Sequence, residues 1–282
     1  MTGGHRAGFA AVLGRPNVGK STLVNRMVGT KVSIVSPRPQ TTRTPVRGIL
    51  HRPDAQVVFV DTPGVHKPRT PLGHRLNARA VAAADGVEVT VLVLDATGAV
   101  GTGDRHVADR APERAIVAVN KVDRVGPAVL LARLAAAGDL HKSEYFPVSA
   151  ATGEGVDALV EAVVARLPEG PPLYPPDMVA DHTDAFWVAE LVREQLLGVA
   201  RDELPHSIAC RVTEWEWPRI RCEILVERPS QKGMVIGRGG AVLKAAGSAA
   251  RAQLPAGTFL ELAVKVERNW QRRDRALDRL GL

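Results

Sequence analysis

The sequence contains no long hydrophobic run and only two cysteines. No stretch approaches the roughly 18 consecutive apolar residues of a membrane-spanning helix, and the N-terminus lacks the apolar core of a signal peptide. We therefore expect a cytoplasmic protein. Cys210 and Cys222 are interpreted as buried free thiols, because disulfides are rare in that compartment and two cysteines alone make no metal site.

Acidic residues are also missing from two stretches of the chain. None occurs in residues 1–53 or in residues 229–260, although lysines and arginines are frequent in both. A solvated basic surface is the ordinary explanation of such a run. Each run surrounds a glycine-rich loop, however, which favours contact with polyanions. The cations of the second run are Lys232, Arg238, Lys244 and Arg251.

The 282 residues are enough for about two domains, and their composition is that of an ordinary globular protein. Six apolar runs alternate with helical stretches up to about residue 165. Continuous apolar runs are typical of strands buried on both faces, so they predict an α/β fold with a mostly parallel sheet covered by helices. The predicted strands are 9–13, 46–51, 57–60, 89–94, 115–119 and 145–148.

Five prolines between residues 168 and 176 mark the end of this first domain. Proline at this density disfavours helix and sheet and predicts a stiff linker. We therefore divide the chain into a first domain of residues 1–168, a linker of residues 169–183 and a second domain of residues 184–282. The predicted elements of the second domain are, in order, a helix over 185–200, strands over 207–214 and 219–227, a short helix, a glycine break, a helix to about residue 254, a strand over 259–267 and a closing helix.

The segment GRPNVGKST, residues 14–22, follows a predicted strand and opens a helix. It matches G-x-x-x-x-G-K-[ST], a loop whose backbone N–H groups point at phosphate oxygens. Gly14 and Gly19 allow the loop to curl. Lys20 supplies positive charge over the outer phosphates, and the Ser21 hydroxyl can ligate Mg²⁺. The loop therefore predicts nucleotide binding.

Three further motifs follow predicted strands, at the sheet edge where such folds bind ligands. DTPG provides Asp61, expected to hold Mg²⁺ through water, and Gly64, expected to meet the terminal phosphate. NKVD ends in Asp123, whose carboxylate can accept two hydrogen bonds from guanine; adenine lacks the exocyclic amine and would leave the acid unpaired. VSA offers Ser149 and Ala150 to bracket the base. The set predicts a site for GTP and GDP.

The polar segment of residues 36–45, SPRPQTTRTP, lacks regular periodicity and is expected to order around a γ-phosphate. We expect Thr42 to reach Mg²⁺ from this loop, with Thr41 as the alternative. The residues expected to line the nucleotide are Gly14, Asn17, Val18, Gly19, Lys20, Ser21, Thr22, Asp61, Gly64, Asn120, Lys121, Asp123, Ser149 and Ala150. Those expected to hold the metal are Ser21, Thr42 and Asp61, and those expected to act in hydrolysis are Lys20, Thr42, Asp61 and Gly64.

Together, the motifs GRPNVGKST, QTTR, DTPG, NKVD and VSA resemble those of the TrmE–Era–EngA branch of translation-associated GTPases. In the C-terminal half, LVERPSQKGMVIGRGGAVLK is similar to the KH segment of Era proteins, and DELPHSIACRV and RALDRLGL resemble the entry and the last helix of that domain. On this basis the chain is identified as a member of the Era family over essentially its whole length. The resemblance implies a P-loop NTPase G domain with a six-stranded sheet, followed by a small α+β type II KH domain.

The resemblance also bears on hydrolysis. Ras-like enzymes orient the attacking water with a glutamine directly after the DxxG glycine, and this chain has Val65 there, which cannot hydrogen-bond through its side chain. Slow intrinsic hydrolysis is therefore expected, with the water placed by backbone, another loop or a partner. Related GTPases with asparagine at the position of Asn17 hold K⁺ near the phosphates, so K⁺ joins GTP, GDP and Mg²⁺ among the expected ligands.

Residues 237–240, Gly-Arg-Gly-Gly, have the G-x-x-G spacing with which a KH loop clamps the backbone of about four unpaired nucleotides. Alone, this spacing more often marks a turn at a helix start; the α-β-β-α-GxxG-α-β order and the acid-free run favour RNA. For Trp215, Trp217 and Trp270 we favour hydrophobic packing over base stacking. The residues expected to bind RNA are Lys232, Ile236, Gly237, Arg238, Gly239, Gly240 and Lys244.

By the same resemblance, the target is the single-stranded 3′ end of 16S rRNA, and the role lies in biogenesis of the 30S ribosomal subunit. GTP would promote RNA binding and hydrolysis would promote release. The resemblance further implies weak peripheral contact with the inner face of the cell membrane, and a monomer is expected. Two alternatives stay open: a tRNA-modifying GTPase, which would need a further chemistry domain, and a non-hydrolysing RNA-binding adaptor with structural GTP.

Overall fold

The computed structural model describes residues 4–68, 70–199 and 207–282. They form two compact units. Unit 1 comprises Met1–Ser33, Thr42–Pro68 and Gly73–Asp181, and unit 2 comprises Ile34–Thr41, Arg69–Leu72 and His182–Leu282. The loop Ile34–Thr41, which the sequence places in the first domain, therefore belongs to the same unit as the C-terminal residues.

Unit 1 is built on a six-stranded sheet. Its strands are β1 (Arg6–Gly14), β2 (Val46–His51), β3 (Ala55–Asp61), β4 (Val89–Asp95), β5 (Ile116–Asn120) and β6 (Glu144–Val148). Their order is β2-β3-β1-β4-β5-β6; β2 runs antiparallel to β3, and the other neighbouring pairs are parallel. The predicted mostly parallel sheet is confirmed. Strands β3 and β5 are buried along their whole length, which explains their continuous apolar sequences.

Helices cover both faces of this sheet. They are α1 (Lys20–Val28), α2 (Pro71–Ala82), α3 (Thr102–Ala108), α4 (Pro127–Gly138) and α5 (Val156–Val164). Val91 and Val93 of β4 belong to an apolar cluster with residues of α1 and α5, whereas Leu92 and Leu94 belong to a second cluster with residues of α3 and α4. Because alternate strand residues point to opposite faces, the two clusters are the two sides of one sheet.

Part of the predicted linker of residues 169–183 packs against unit 1. The N–H of Ile49 donates to the carbonyl of Val179 at 2.9 Å, and isolated bridges pair Glu169 and Ala180 with strands of the sheet. The boundary between the units follows Asp181. Proline lacks a backbone N–H donor, but its carbonyl and the residues between the prolines can still form backbone hydrogen bonds. Residues 169–181 form such bonds with unit 1, whereas the composition predicts a stiff spacer without them.

Unit 2 has a three-stranded sheet with helices packed on it. Its elements are α6 (Asp184–Val199), β7 (Ala209–Glu216), β8 (Arg219–Val226), α7 (Pro229–Ile236), α8 (Ala241–Arg251), β9 (Phe259–Val266) and α9 (Asp274–Arg279). β7 and β8 are antiparallel, and β8 and β9 are parallel. This element order is the predicted one. The predicted end of α6 at residue 200 and residues 202–206 of the DELPHSIACRV motif lie outside the described residues.

The tryptophans of unit 2 differ in burial. Trp270 is fully buried, which confirms the packing prediction for this residue, and its indole N–H donates to the carbonyl of Ser207 at 3.0 Å. The packing prediction is wrong for Trp215 and Trp217, whose side chains are 41% and 56% exposed near the β7–β8 turn. The two cysteines are free thiols, as expected; Cys222 is buried, whereas Cys210 is only partly buried. Within the described ranges, no helix combines the length and apolarity needed to cross a membrane.

Candidate nucleotide and RNA sites

The P-loop of unit 1 joins the end of β1 to the start of α1. Gly19 has φ 97°, and a Cβ there would lie 2.4 Å from Asn120 Nδ2, so a side chain does not fit. The same Asn120 amide donates to the Val18 carbonyl at 2.9 Å. Thr22 lies in the first turn of α1. The shape of the phosphate loop is therefore maintained by direct contact with the NKVD motif.

Lys20 is buried beside this loop. Its Nζ donates to the carbonyls of Gly14 at 3.2 Å and Arg15 at 2.8 Å. Burial lowers the pKa of Lys20 to about 8, and the charge of Asp61 offsets part of that effect. A buried cation bonded to neutral carbonyls gains stability from a nearby anion, which phosphate oxygens would supply.

Three oxygen-bearing side chains converge beside Lys20. The hydroxyls of Ser21 and Thr42 are 2.9 Å apart, and Thr42 Oγ1 donates to Asp61 Oδ2 at 3.0 Å. Burial raises the pKa of Asp61, although the Ser21 hydrogen bond and the Lys20 charge oppose this. The alternative residue, Thr41, instead directs its hydroxyl to the Arg38 carbonyl at 2.8 Å.

This group of oxygens fits a small hard cation. Among the described residues, Asp61 Oδ1 is buried without a hydrogen-bond partner. Buried polar atoms normally have a partner, so this oxygen is a candidate ligand for a cation. The described residues contain no cluster of three His, Cys, Asp or Glu side chains able to hold a metal. A site with one carboxylate and hydroxyls suits Mg²⁺, which keeps several waters and binds substrate phosphates.

Lys121 crosses the outside of the P-loop. Its Nζ donates to the Asn17 carbonyl at 2.6 Å and pairs with Asp95 Oδ2 at 2.6 Å. Burial raises the pKa of Asp95, but hydrogen bonds from Lys121 and Thr97 outweigh it and the net pKa is lowered. Asp95 was not predicted as a site residue. The sequence does place Asp95 at the end of the apolar run of β4, as it places Asp61 at the end of β3, and this position could have indicated a site residue.

The expected base-binding residues lie together. Ser149 Oγ donates to Asp123 Oδ1 at 2.5 Å and thereby orients an exposed carboxylate. The Ala150 N–H donates to Asn120 Oδ1 at 2.9 Å. The VSA and NKVD motifs are thus joined, and the Asp123 carboxylate is available to a ligand at the sheet edge.

The DTPG loop contacts the P-loop closely. A Cβ on Gly64 would lie 2.7 Å from Pro16 N, and the Val65 N–H donates to the Gly14 carbonyl at 3.2 Å. The Val65 side chain is buried in an apolar cluster with Leu13. It therefore has neither the chemistry nor the direction to orient a water molecule.

In unit 2, the G-x-x-G loop lies between α7 and α8. Gly237 has φ 75° where α7 ends, and a Cβ there would lie 2.6 Å from a methyl group of Val242. Arg238–Gly240 then form one 3₁₀ turn that leads into α8. Ile236 is partly buried at the last position of α7. The loop is therefore compact, and its exposed glycines carry no side chain that would keep the backbone of a nucleic acid at a distance.

The cations of unit 2 fall into two groups. Lys232, Arg238 and Lys244 are exposed, and within the described ranges no ion pair involves them. On the sheet face opposite the helices, Arg211 pairs with Glu223 at 2.5 Å; Arg219, Arg221 and Lys265 also pair with glutamates there. Uncompensated positive charge is therefore found beside the glycine loop.

A groove of about 400 Å³ opens beside this loop, between α8 and β9. Its walls combine aliphatic side chains with two cations, and Ile236 is not among them. The lining residues are Gly240, Leu243, Lys244, Gly247, Ser248, Arg251, Leu260 and Leu262. Apolar surface beside positive charge suits a ligand with flat bases on an anionic backbone.

A P-loop joined to DTPG, NKVD and VSA motifs at one sheet edge, followed by a G-x-x-G loop in an α+β unit, defines a GTPase with a C-terminal KH domain. Family models agree: residues 9–121 match the model described as 50S ribosome-binding GTPase, and residues 203–271 match the KH domain model. The chain is 46% identical to GTPase Era of Mycobacterium avium and 45% identical to that of Mycobacterium tuberculosis, covering 98% of this chain and of each relative. The chain belongs to the Era family of GTPases.

Two solved structures extend the similarity to the whole fold. One is Era in complex with MgGDPNP and nucleotides 1506–1542 of 16S ribosomal RNA, with 36% identity, a TM-score of 0.92 and coverage of 98% of this chain and 99% of that one. The other is a point variant of Aquifex aeolicus Era bound to GDP·AlF₄⁻, with 36% identity, a TM-score of 0.93 and the same coverage. The G domain and KH domain predicted from the sequence are confirmed.

Proposed function

We propose that this GTPase uses its nucleotide state to control binding of its KH domain to the single-stranded 3′ end of 16S rRNA during biogenesis of the 30S subunit. The observation that carries the proposal is the charge contrast in unit 2, where the described cations beside the G-x-x-G loop lack ion pairs and those on the opposite face have them. Such a patch favours a polyanion. A relative of the same fold was solved with a 16S rRNA segment.

In this proposal the P-loop, residues 14–22, surrounds the phosphates with backbone N–H groups, and Lys20 exchanges its carbonyl partners for phosphate oxygens. Asp123 accepts hydrogen bonds from guanine. Ser21, Thr42 and Asp61 would hold Mg²⁺, which supplies charge compensation to the phosphates. Asn17 on the exposed side of the loop is the proposed neighbour of a K⁺ ion.

Hydrolysis in this site depends on positioning. Lys20 stabilises negative charge on the outer phosphates, the Thr42 hydroxyl orders the loop before it, and the Gly64 backbone meets the terminal phosphate. Because Val65 is buried, no side chain at that position orients the attacking water, and we propose slow intrinsic turnover. The alternative of a purely structural nucleotide predicts no multiple-turnover release of phosphate.

For RNA, the proposal assigns the sugar-phosphate backbone to the loop of residues 237–240 and the phosphate charges to Lys232, Arg238 and Lys244. The bases would lie in the adjoining groove, over Leu260 and Leu262 of β9. Glycines admit the backbone closely, and the following helix presents its positive N-terminus.

The proposed place of action is the cytoplasm, on the 30S subunit, with the protein as a monomer. Weak peripheral contact with the inner face of the cell membrane is included on the strength of the family resemblance alone. The Pro-rich segment of residues 169–183 is proposed to connect a G domain of residues 1–168 to a KH domain of residues 184–282, although residues 169–181 pack with unit 1.

The test is binding of a pyrimidine-rich oligonucleotide from the 16S rRNA 3′ end, measured by fluorescence anisotropy, to the wild type and to Gly240→Asp with a GTP analogue bound. Gly240 has φ 80° and open space where a Cβ would be. Aspartate is one of the few residues besides glycine that adopt such a backbone, and it would add negative charge facing the phosphates. We expect at least about tenfold weaker RNA binding with unchanged GTP-analogue affinity, since one repelled charge contributes on the order of 1–2 kcal/mol.

Gly257→Asp is the matched control, because Gly257 has φ 87° and equally open space outside the loop. It should bind RNA as the wild type does. Equal RNA affinity of the wild type and Gly240→Asp would contradict the proposal, and so would a wild type that fails to release phosphate in multiple turnovers with or without RNA.

A further inference from the structure

Residues 95–97, Asp-Ala-Thr, lie where β4 ends, beside the NKVD motif, and form two bonds to it. The Ala96 N–H donates to the Asn120 carbonyl at 2.8 Å. Asp95 Oδ2 accepts from Lys121 Nζ at 2.6 Å. Both contacts lie inside unit 1. This segment therefore holds the NKVD motif, although it belongs to none of the motifs recognised from the sequence.

The Asp95 carboxylate forms more contacts than its turn requires. Its Oδ1 accepts from the Thr97 N–H at 2.9 Å and from Thr97 Oγ1 at 2.6 Å. These bonds close the turn that follows β4, and the side-chain oxygen of an asparagine would serve them equally well. Oδ2 takes no part in them and pairs with Lys121. The negative charge of Asp95 therefore needs an explanation other than the local backbone.

The ion pair holds the Lys121 side chain across the outside of the P-loop. Lys121 Nζ also donates to the Asn17 carbonyl at 2.6 Å, and a Cβ built on Gly19 would lie 3.8 Å from Lys121 Cε. The methylene chain of Lys121 therefore extends from the NKVD motif to the P-loop, between the base end and the phosphate end of the proposed nucleotide site. An aliphatic chain in this place offers an apolar surface to a purine.

Lys121 needs an anchor to keep this conformation. Its φ of 69° lies in the left-handed region, which costs free energy for a residue with a Cβ. Fixing a lysine side chain in one conformation also costs rotamer entropy. The Asn17 carbonyl is a neutral acceptor, whereas the Asp95 carboxylate forms a stronger, charge-assisted bond. The side chains of Lys121 and Asp95 are 22% and 26% exposed, so water screens their attraction only in part.

We propose that Asp95 is a positioning residue for guanine-nucleotide binding, which holds the Lys121 side chain extended across the P-loop so that its methylene chain supports the purine. The inference rests on the proposed function, in which the NKVD motif binds the base. It adds the turn after β4 to the elements that form the nucleotide site.

This role predicts which properties depend on Asp95 and which do not. The Asp123 carboxylate is oriented by Ser149 Oγ, so the preference for GDP over IDP, the inosine nucleotide without the exocyclic amine, should not depend on Asp95. The oxygens expected to hold Mg²⁺ bond to one another, so hydrolysis of bound GTP should not depend on it either. Affinity should depend on Asp95 equally for every purine nucleotide, because all of them place a base beside Lys121.

The test is Asp95→Asn, with affinities measured by competition against a fluorescent GDP analogue and hydrolysis measured in a single turnover at saturating GTP. Asparagine keeps the shape of aspartate, but one end of its side chain carries N–H groups, so it cannot serve both Thr97 and Lys121 as an acceptor. We expect the affinities for GDP, IDP and a non-hydrolysable GTP analogue to fall by the same factor, about 5- to 20-fold, as for one partly exposed charge-assisted hydrogen bond. The rate constant of hydrolysis should stay at the wild-type value.

Asp54→Asn is the matched control. Asp54 pairs with Arg52 at 3.1 Å in the same unit and precedes β3, at the end of the sheet opposite the site. This variant should bind all three nucleotides as the wild type does. Wild-type GDP affinity in Asp95→Asn would overturn the inference. A loss confined to one nucleotide, or slower hydrolysis of bound GTP, would overturn it too, because Asp95 would then act on base selection or on the γ-phosphate end.

Variants of Thr97 test the same role without removing the charge. Thr97 is exposed, so substitutions there should not disturb packing. Thr97→Val removes the hydroxyl that orients Asp95 Oδ1 and should weaken GDP binding about 2- to 5-fold, as for one neutral hydrogen bond. Thr97→Ser keeps the hydroxyl and should bind GDP as the wild type does. If Asp95→Asn does not fold, this pair decides, and equal GDP affinities of the two variants would overturn the inference.

Asp123→Ala separates this inference from the proposed function. If Asp123→Ala loses the preference for GDP over IDP while Asp95→Asn binds GDP as the wild type does, only the role of Asp95 is refuted. If Asp123→Ala keeps that preference, the proposed base site is refuted, and the role of Asp95 that rests on it is refuted as well.

Discussion

At the scale of single residues, one buried amide connects the motifs of the nucleotide site. Asn120 is 1% exposed; it donates to the Val18 carbonyl and accepts from the Ala150 N–H, both at 2.9 Å. The P-loop, the NKVD motif and the VSA motif are thus parts of one hydrogen-bonded network. Because networks of this kind are satisfied only in one arrangement, Asp123 is held in a defined position relative to the phosphate loop.

We propose that Asp123 selects the guanine base. The variant Asp123→Ala would remove the proposed acceptor of two guanine hydrogen bonds, each contributing roughly 1.5–3 kcal/mol when one partner is charged. We expect GDP affinity to fall by about two orders of magnitude or more. We further expect the wild type to prefer GDP over IDP, which lacks the exocyclic amine, and the variant to lose that preference. Isothermal titration calorimetry with both nucleotides measures this.

Asp139→Ala provides the control, since Asp139 is an exposed aspartate at the end of α4 in the same unit. It should bind GDP and IDP as the wild type does. An Asp123→Ala protein that still discriminates GDP from IDP would refute the assignment of base selection to this carboxylate.

At the scale of elements, the strands of unit 1 were predictable because strands buried on both faces have continuous apolar sequences. The motifs follow these strands, at the sheet edge where we propose the nucleotide site. The residues that could not be predicted act through tertiary contacts. Asp95 follows an apolar run like Asp61, but only the fold shows that Lys121 reaches it. Similarly, the position of Arg193 on α6 contains no sign that its guanidinium meets the Thr41 carbonyl.

The contacts of residues 169–181 could not be predicted either, because a single side chain of β3 supplies three of the hydrogen bonds that hold this segment. Gln56 is 1% exposed; its Oε1 accepts from the N–H groups of Leu173 at 2.6 Å and Tyr174 at 2.9 Å, and its Nε2 donates to the Tyr174 carbonyl at 2.8 Å. Proline content alone cannot reveal that the side chain of a buried glutamine hydrogen-bonds the backbone of Leu173 and Tyr174.

Gln56→Leu should therefore destabilise unit 1 by about 2–4 kcal/mol, because three backbone groups lose partners while the apolar side chain keeps the volume. Urea unfolding followed by circular dichroism measures the change. Hydrogen exchange at Leu173 and Tyr174 should increase, with GDP affinity unchanged when measured well below the unfolding transition. Gln253→Leu, at an exposed position two residues beyond the end of α8, should shift stability by no more than about 0.5 kcal/mol. Equal stability of Gln56→Leu and the wild type would contradict the proposed attachment.

At the scale of the whole molecule, the formal net charge of +7 is less informative than its distribution. The sheet face of unit 2 that carries Arg211 and Arg219 is locally neutralised by glutamates, so it exerts little field on a distant anion. The exposed cations beside the G-x-x-G loop belong to a stretch without acids. Electrostatic attraction of RNA should therefore originate from that loop and its flanking helices.

This distribution predicts the salt dependence of RNA binding. For single strands the slope of log K against log salt is about −0.7 per neutralised phosphate, so three phosphate contacts from Lys232, Arg238 and Lys244 give a slope near −2. Arg238→Gln should reduce the magnitude of the slope by about 0.7, while Arg219→Gln, which removes a paired cation of the opposite face, should leave it unchanged. Anisotropy titrations between about 50 and 300 mM KCl at saturating GTP analogue measure both slopes within the range in which such plots are linear. An equal change in slope for the two variants would mean that RNA is attracted by the overall charge of the protein, and the assignment of the phosphate contacts to the glycine loop would then be wrong.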